Sequence, residues 1–294
     1  MSFFKNIKAC HSFKVRCFIL FLLLSFFSQR ELLSYSIKSN DSIINTTELG
    51  FSLSQNYLCY NESNLIKFFG FLTGGDVFIK STFPFGLNVS FEFNGHIGKK
   101  INYVGFTGIT IREAFSESSV YSSLFYFEQK LGYDIPLNYS VVVSPYIGLG
   151  YRRLNFEWKE DDQIINDPKT RLSRNGYYFI GLNVSFRLSA KYFLIQEFSL
   201  GKSFSSTVSY KNYPLDYSRI NDIRFDNGMF FKSSLKTEVF LTKNVSLLLN
   251  LLYRYLSLGE SESVYVHEVR SHLVEPQSSS HELSLGLGVN YSIF

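Results

Sequence analysis

From about residue 45 onward the chain alternates apolar and polar residues with a period of two. That spacing sends successive side chains to opposite faces of a strand, so each such segment predicts a strand with two unlike faces. In 87–97, Leu87, Val89, Phe91, Phe93 and Ile97 share one parity, and Asn88, Ser90, Glu92, Asn94 and His96 share the other. In 139–152, Tyr139, Val141, Val143, Ile147, Leu149 and Tyr151 oppose Ser140, Ser144, Gly148, Gly150 and Arg152. Segment 178–189 sets Tyr178, Ile180, Leu182, Val184, Phe186 and Leu188 against Gly181, Asn183, Ser185, Arg187 and Ser189. Segment 229–241 sets Met229, Phe231, Leu235, Val239 and Leu241 against Lys232, Ser234, Lys236 and Glu238. Weaker alternation covers 46–55, 119–134, 192–204, 245–257 and 281–294. Segment 66–79 is apolar but poorly patterned; including it makes ten strands, and leaving it and a neighbour out makes eight.

Three features favour a membrane barrel over a soluble sandwich. The segments are long, ten to fourteen residues in several cases, where soluble strands centre on ~5–6 and membrane strands need ~9–11. The connections alternate in length: short at 135–138, 189–191 and 242–244, long and polar at 100–117, 158–175, 206–226 and 259–280. The polar faces also carry charge in mid-strand, at Glu92, Glu128, Lys130, Arg152, Arg187, Lys232, Lys236, Glu238 and Arg254. Burying these inside a sandwich is costly, whereas a polar lumen lets them pair or meet water. The expected fold is therefore all-β: a transmembrane antiparallel up-and-down β-barrel with its apolar parity toward lipid. The lumen charges are expected to form a structural ion-pair network, with a small aqueous pathway as the rival. Tyr133, Tyr139, Tyr192 and Tyr291 lie near strand ends, where aromatics form interfacial girdles.

The N-terminus adds an export signal. Lys5, Lys8, Lys14 and Arg16 precede an apolar run, 17–27, too short to span a bilayer as a helix. Ser34 and Ser36 offer a cleavage site, giving a signal peptide over 1–36 and a barrel over 37–294. Removing 1–36 takes away five basic residues and one acidic, which leaves 24 of each from totals of 29 and 25. A neutral chain argues against nucleic acid, which selects a basic field. Cys10 and Cys17 fall in the export segment, so Cys59 is expected as a lone thiol.

The final strand runs to Phe294, which resembles the ending of bacterial outer-membrane barrels, although here Leu283, Leu285, Leu287, Val289, Tyr291 and Ile293 hold the apolar parity. Either Ile293 is the outward terminal position or the strand bulges. The strand count and loop plan, with Pro145–Leu149 on a rising strand, also resemble the omptins, a family of ten-stranded outer-membrane proteases. That resemblance implies loop carboxylates and an Asp–His pair activating a water. Loop 206–226 holds Asp216, Asp222 and Asp226 but no His, and loop 100–117 holds Glu113 and Glu117 without a close Asp pair, so no catalytic residue is carried over. Glu160, Asp161, Asp162 and Asp167 do not match a calcium-loop spacing, and His267, His272 and His281 force no metal geometry. No metal or cofactor site is assigned. Expected partners are outer-membrane lipid and lipopolysaccharide, the barrel-assembly machinery, and a host or surface ligand. The function expected first is a surface interaction or structural barrel; a narrow porin-like channel and an omptin-like protease with altered catalytic residues are the alternatives.

Overall fold

The computed structural model describes residues 46–62, 66–106, 115–158, 170–211, 223–225, 227–266 and 271–293. Fourteen strands occur in them: β1 Thr46–Glu62, β2 Ile66–Thr82, β3 Leu87–Phe106, β4 Phe115–Tyr133, β5 Ile135–Asn138, β6 Val141–Trp158, β7 Thr170–Arg187, β8 Tyr192–Lys211, β9 Ile223–Arg224, β10 Met229–Phe240, β11 Val245–Leu258, β12 Val264–Val266, β13 Ser271–Leu273 and β14 Ser278–Ile293. Ten of them close a ring in the order β1-β2-β3-β4-β6-β7-β8-β10-β11-β14 and back to β1. Every pairing is antiparallel. Closure removes the free edges that a bilayer would not tolerate.

Each of the ten ring strands covers one of the ten predicted segments, which overrun the strand ends by at most two residues. Segment 66–79 is among them, paired from Thr46↔Thr82 to Glu62↔Ile66 with β1 and also with β3. Its poor pattern comes from Gly70, Gly74 and Gly75, where close neighbours leave little or no room for a Cβ. Ile293 is the outward terminal position: β14 pairs with β1 without a register shift, and Ile293 is exposed.

Two boundaries need correction. The 135–138 link is itself a short strand, β5, folded back onto Val141–Val143. The turn is Tyr139–Ser140, where the Ser140 N–H donates to Asn138 Oδ1 at 2.8 Å, so the strand starts at Val141. The long links are also shorter than expected, because β3 runs to Phe106, β7 starts at Thr170 and β8 runs to Lys211. In the full-length chain Cys59 is buried and disulfide-bonded, whereas the expected lone thiol concerns the chain without residues 1–36; the other two cysteines lie outside the described residues.

The outer wall carries an apolar belt. Leu49, Phe51 and Leu53 on β1, Ile147 and Leu149 on β6, Ile180 on β7, and Leu285, Leu287 and Val289 on β14 are all exposed. Tyr133, Tyr139, Tyr192 and Tyr291 are exposed at the short-turn end. Phe125, Tyr151, Tyr178 and Phe204 are exposed at the belt's other border. Tyr139 and Tyr151 are twelve residues apart. At ~3.4 Å per residue and a tilt of ~40° this is ~31 Å, close to the hydrocarbon thickness.

Above the second aromatic border the strands continue as a collar, and there the faces exchange character. Lys99, Asn102, Ser119, Ser123, Arg153 and Glu157 point outward and are exposed. Leu58, Phe68, Ile101, Leu124, Leu154 and Phe156 point inward and are buried. Phe68 stacks on Phe156 with centroids 3.7 Å apart, and Trp158 closes on Phe68 edge-on at 5.8 Å.

Candidate functional site

The bore is where the charged side chains meet. Glu92 and Glu128 lie directly opposite each other on β3 and β4. Lys232 and Arg254 lie directly opposite each other on β10 and β11. Like charges at paired positions repel, so neither wall is favourable alone. Ring closure brings the acidic wall to the basic one. Lys232 Nζ lies 2.6 Å from Glu128 Oε2 and 2.8 Å from Glu92 Oε2. Lys130 Nζ lies 2.7 Å from both Glu92 Oε1 and Glu197 Oε1. The Tyr146 hydroxyl donates to Glu197 at 2.8 Å, and the Tyr177 hydroxyl donates to Glu128 at 3.0 Å.

Three ion pairs cross the full width of the barrel. β3 and β10 are five steps apart in either direction round the ring, and so are β6 and β14, and β1 and β7. Lys232 on β10 meets Glu92 on β3. Arg152 on β6 meets Glu282 on β14 at 3.0 Å. Arg171 on β7 meets Glu62 on β1 at 2.8 Å. Between the last two levels lies an apolar layer of Leu58, Leu124, Leu154 and Leu256, all buried. Two cavities beside the first crossing, lined by described residues, measure about 30 and 70 Å³, room for a few waters.

Of the nine charges singled out from the sequence, Glu92, Glu128, Lys130 and Lys232 form this cluster. Lys236 joins it at its edge, 3.7 Å from Glu92 and half-buried. Arg254 stands over the Tyr126 ring at 4.2 Å and donates to Asn94 Oδ1. Arg152 donates through Nε to the Tyr126 hydroxyl at 2.7 Å. Glu238 sits apart near the short-turn end, accepting from Ser246 and, at 2.9 Å, from Asn290. Arg187 is also apart, over the Phe193 ring at the end of β7.

Sequence reasoning misses Glu197, Glu282, Glu62 and Arg171. Glu282 shares the parity of Ser280, Ser284 and Gly286, so its inward direction is legible. Glu197 follows Leu194 and Gln196, both buried despite lying on the outward parity, which blurs the alternation there. Glu62 and Arg171 lie beyond the predicted segments.

The loop residues weighed for catalysis or metal binding, Glu113, Glu160, Asp161, Asp162, Asp167, Asp216, Asp222, Asp226 and His267, lie outside the described residues, as do the side chains of Glu117 and His272. His281 faces the outer wall, its Nδ1 2.8 Å from the Tyr253 hydroxyl. Among the described residues there is no cluster of three or more His, Cys, Asp or Glu side chains fit to hold a metal ion.

No family model matches the chain, and no curated protein matches it in sequence. Among solved structures it is similar to the outer membrane protease OmpT from Escherichia coli, with 11% identity and a TM-score of 0.57 over 88% of this chain and 99% of that one. It also matches the translocator domain of autotransporter NalP from Neisseria meningitidis, with 12% identity and a TM-score of 0.45 over 91% of this chain and 95% of that one. At such identities the likeness is one of fold. In fold the chain is a closed ten-stranded antiparallel barrel of the bacterial outer-membrane type, with omptin-like topology.

Proposed function

We propose that this chain is an integral outer-membrane barrel whose work is done at its outer end, as a surface interaction or structural protein. The filled bore carries this reading: three ion pairs bridge opposite walls, and an apolar layer lies between two of them. A channel needs a continuous wet path, which such crossings oppose. A protease reading would need a base near a positioned water, and loop 206–226 supplies carboxylates without a histidine. On this reading residues 1–36 direct export and the barrel-assembly machinery reads the last strand. Lipid and lipopolysaccharide surround the belt. A host or surface ligand meets the connections above the collar, since binding concentrates on loops held by a rigid scaffold.

The test is adhesion. Cells displaying the full chain are compared with cells displaying a variant whose 159–169 and 212–222 segments are replaced by short Gly/Ser turns, on immobilised proteins and polysaccharides. Loss of binding by a variant that still shows a heat-dependent electrophoretic shift is expected. Unchanged binding by that variant contradicts the proposal.

A further inference from the structure

The outermost crossing has one carboxylate more than its arginine balances. Glu275, in the segment between β13 and β14, places Oε2 3.8 Å from the same Arg171 Nη2 that holds Glu62. Its Oε1 accepts from the Tyr210 hydroxyl, which in turn accepts from Arg171 Nε at 3.1 Å. The Tyr60 hydroxyl accepts from Arg171 Nη2 at 2.8 Å. Glu62, Arg171 and Glu275 are all buried, and Glu62 Oε2 has no hydrogen-bond partner. The charged and titratable groups facing Glu62 among the described residues are Tyr60 on its own strand, Arg171 on β7, Glu275, and Tyr210 on β8. The backbone of Glu275 is tied to the far side of its loop. The Ser261 N–H donates to the Glu275 carbonyl at 3.0 Å, and the Glu275 N–H donates to Ser261 Oγ at 2.7 Å.

We propose that Glu62, Glu275 and Arg171 form a proton-dependent latch that holds the 274–277 strap, with Ser261, across the barrel mouth while the two carboxyls share a proton. With both ionised, two negative charges would share one guanidinium in a site closed to water, where an uncompensated charge is strongly disfavoured. A shared proton makes the cluster neutral and gives the unpartnered Glu62 oxygen a role. Burial first, then repulsion from Glu275, pushes the Glu62 carboxyl well above the usual carboxylate range despite Arg171. Burial likewise raises Tyr60 and Tyr210, which keeps both hydroxyls protonated as donors.

The sign follows from proton linkage. When the strap opens, the Glu62 carboxyl meets water and returns toward ordinary acidity, so the closed form holds more protons than the open one. Closure is firmest at or below the ordinary carboxylate pKa. It weakens as pH rises toward the raised value and is constant beyond it. Acid tightens the latch.

The experiment is hydrogen exchange on the full chain folded in detergent micelles, between pH 5 and 9. Protection factors, corrected for intrinsic exchange at each pH, are read at the amides of Ser261, Glu262 and Glu275. Wild-type protection is expected to fall about tenfold for each pH unit across the transition, as loss of one linked proton requires. The collar amides of Leu124 and Leu154 stay flat and report intact folding. Glu62→Gln keeps the shape without the titrating group and is expected to make strap protection independent of pH; if it does not fold, Glu275→Gln serves the same purpose. A flat wild-type profile, or a folded variant that follows the wild-type slope, overturns the latch.

Discussion

The belt and the collar share ten strands and one backbone ladder, yet they solve opposite problems. In the belt the outer face meets hydrocarbon, so on β6 Ser144 and Arg152 point inward while Ile147 and Leu149 face lipid. In the collar the two faces of the same strand exchange character: Leu154 and Phe156 point in, and Arg153 and Glu157 point out. β4 makes the same exchange, from Glu128 and Lys130 inside to Val120 and Leu124 inside. On these two strands the direction of each side chain still follows strand parity across the border; what changes is the solvent outside. The collar is therefore held by an ordinary hydrophobic core. The belt, whose interior is denied that driving force, is held by paired charges and a lipid-facing wall.

Cutting the collar core is expected to have the largest effect. Phe68 is fully buried against Phe156, so Phe68→Ala should cost about 3–5 kcal/mol. The denaturant midpoint of protein refolded in detergent reports it. An equal loss is expected in the belt from a different cause. Lys232→Met removes the cation between Glu92 and Glu128, and leaving buried carboxylates without their partner costs about 3–5 kcal/mol. Adding Glu128→Gln should recover much of that loss, because it removes a charge that has lost its counterion. No recovery would mean that the acidic and basic walls do not act on each other across the bore.

The outer wall offers a milder contrast, using one substitution at two heights. Leu287 is exposed in the belt, so Leu287→Arg in lipid vesicles should cost about 2–4 kcal/mol. Ser119 is exposed on the collar, and Ser119→Arg should stay within about 0.5 kcal/mol. Equal costs at the two sites would erase the border drawn by Phe125, Tyr151 and Tyr178.

The belt is legible in the sequence and the collar is not, for a physical reason. Period-two alternation identifies a strand when its apolar face is taken as the lipid face, as at Tyr178, Ile180 and Leu182. Above the border the apolar residues move to the other parity, so 170–177 and 100–106 look like polar connections. Bulges add to this: the β3–β4 register shifts between Gly98 and Ile101, which moves the inward set from His96 to Ile101 and Tyr103. The inward charges of the belt can be read one strand at a time. Their pairing cannot, because Lys232 and Glu92 are 140 residues apart and meet only when the ring closes.

Planar-bilayer recording of the folded protein, with folding verified by its heat-dependent mobility, tests the sealed bore most directly. The crossings Lys232–Glu92, Arg152–Glu282 and Arg171–Glu62 predict a flat baseline with no unitary steps. Steady, reproducible single-channel steps from the wild-type chain would contradict the sealed bore and restore the channel reading.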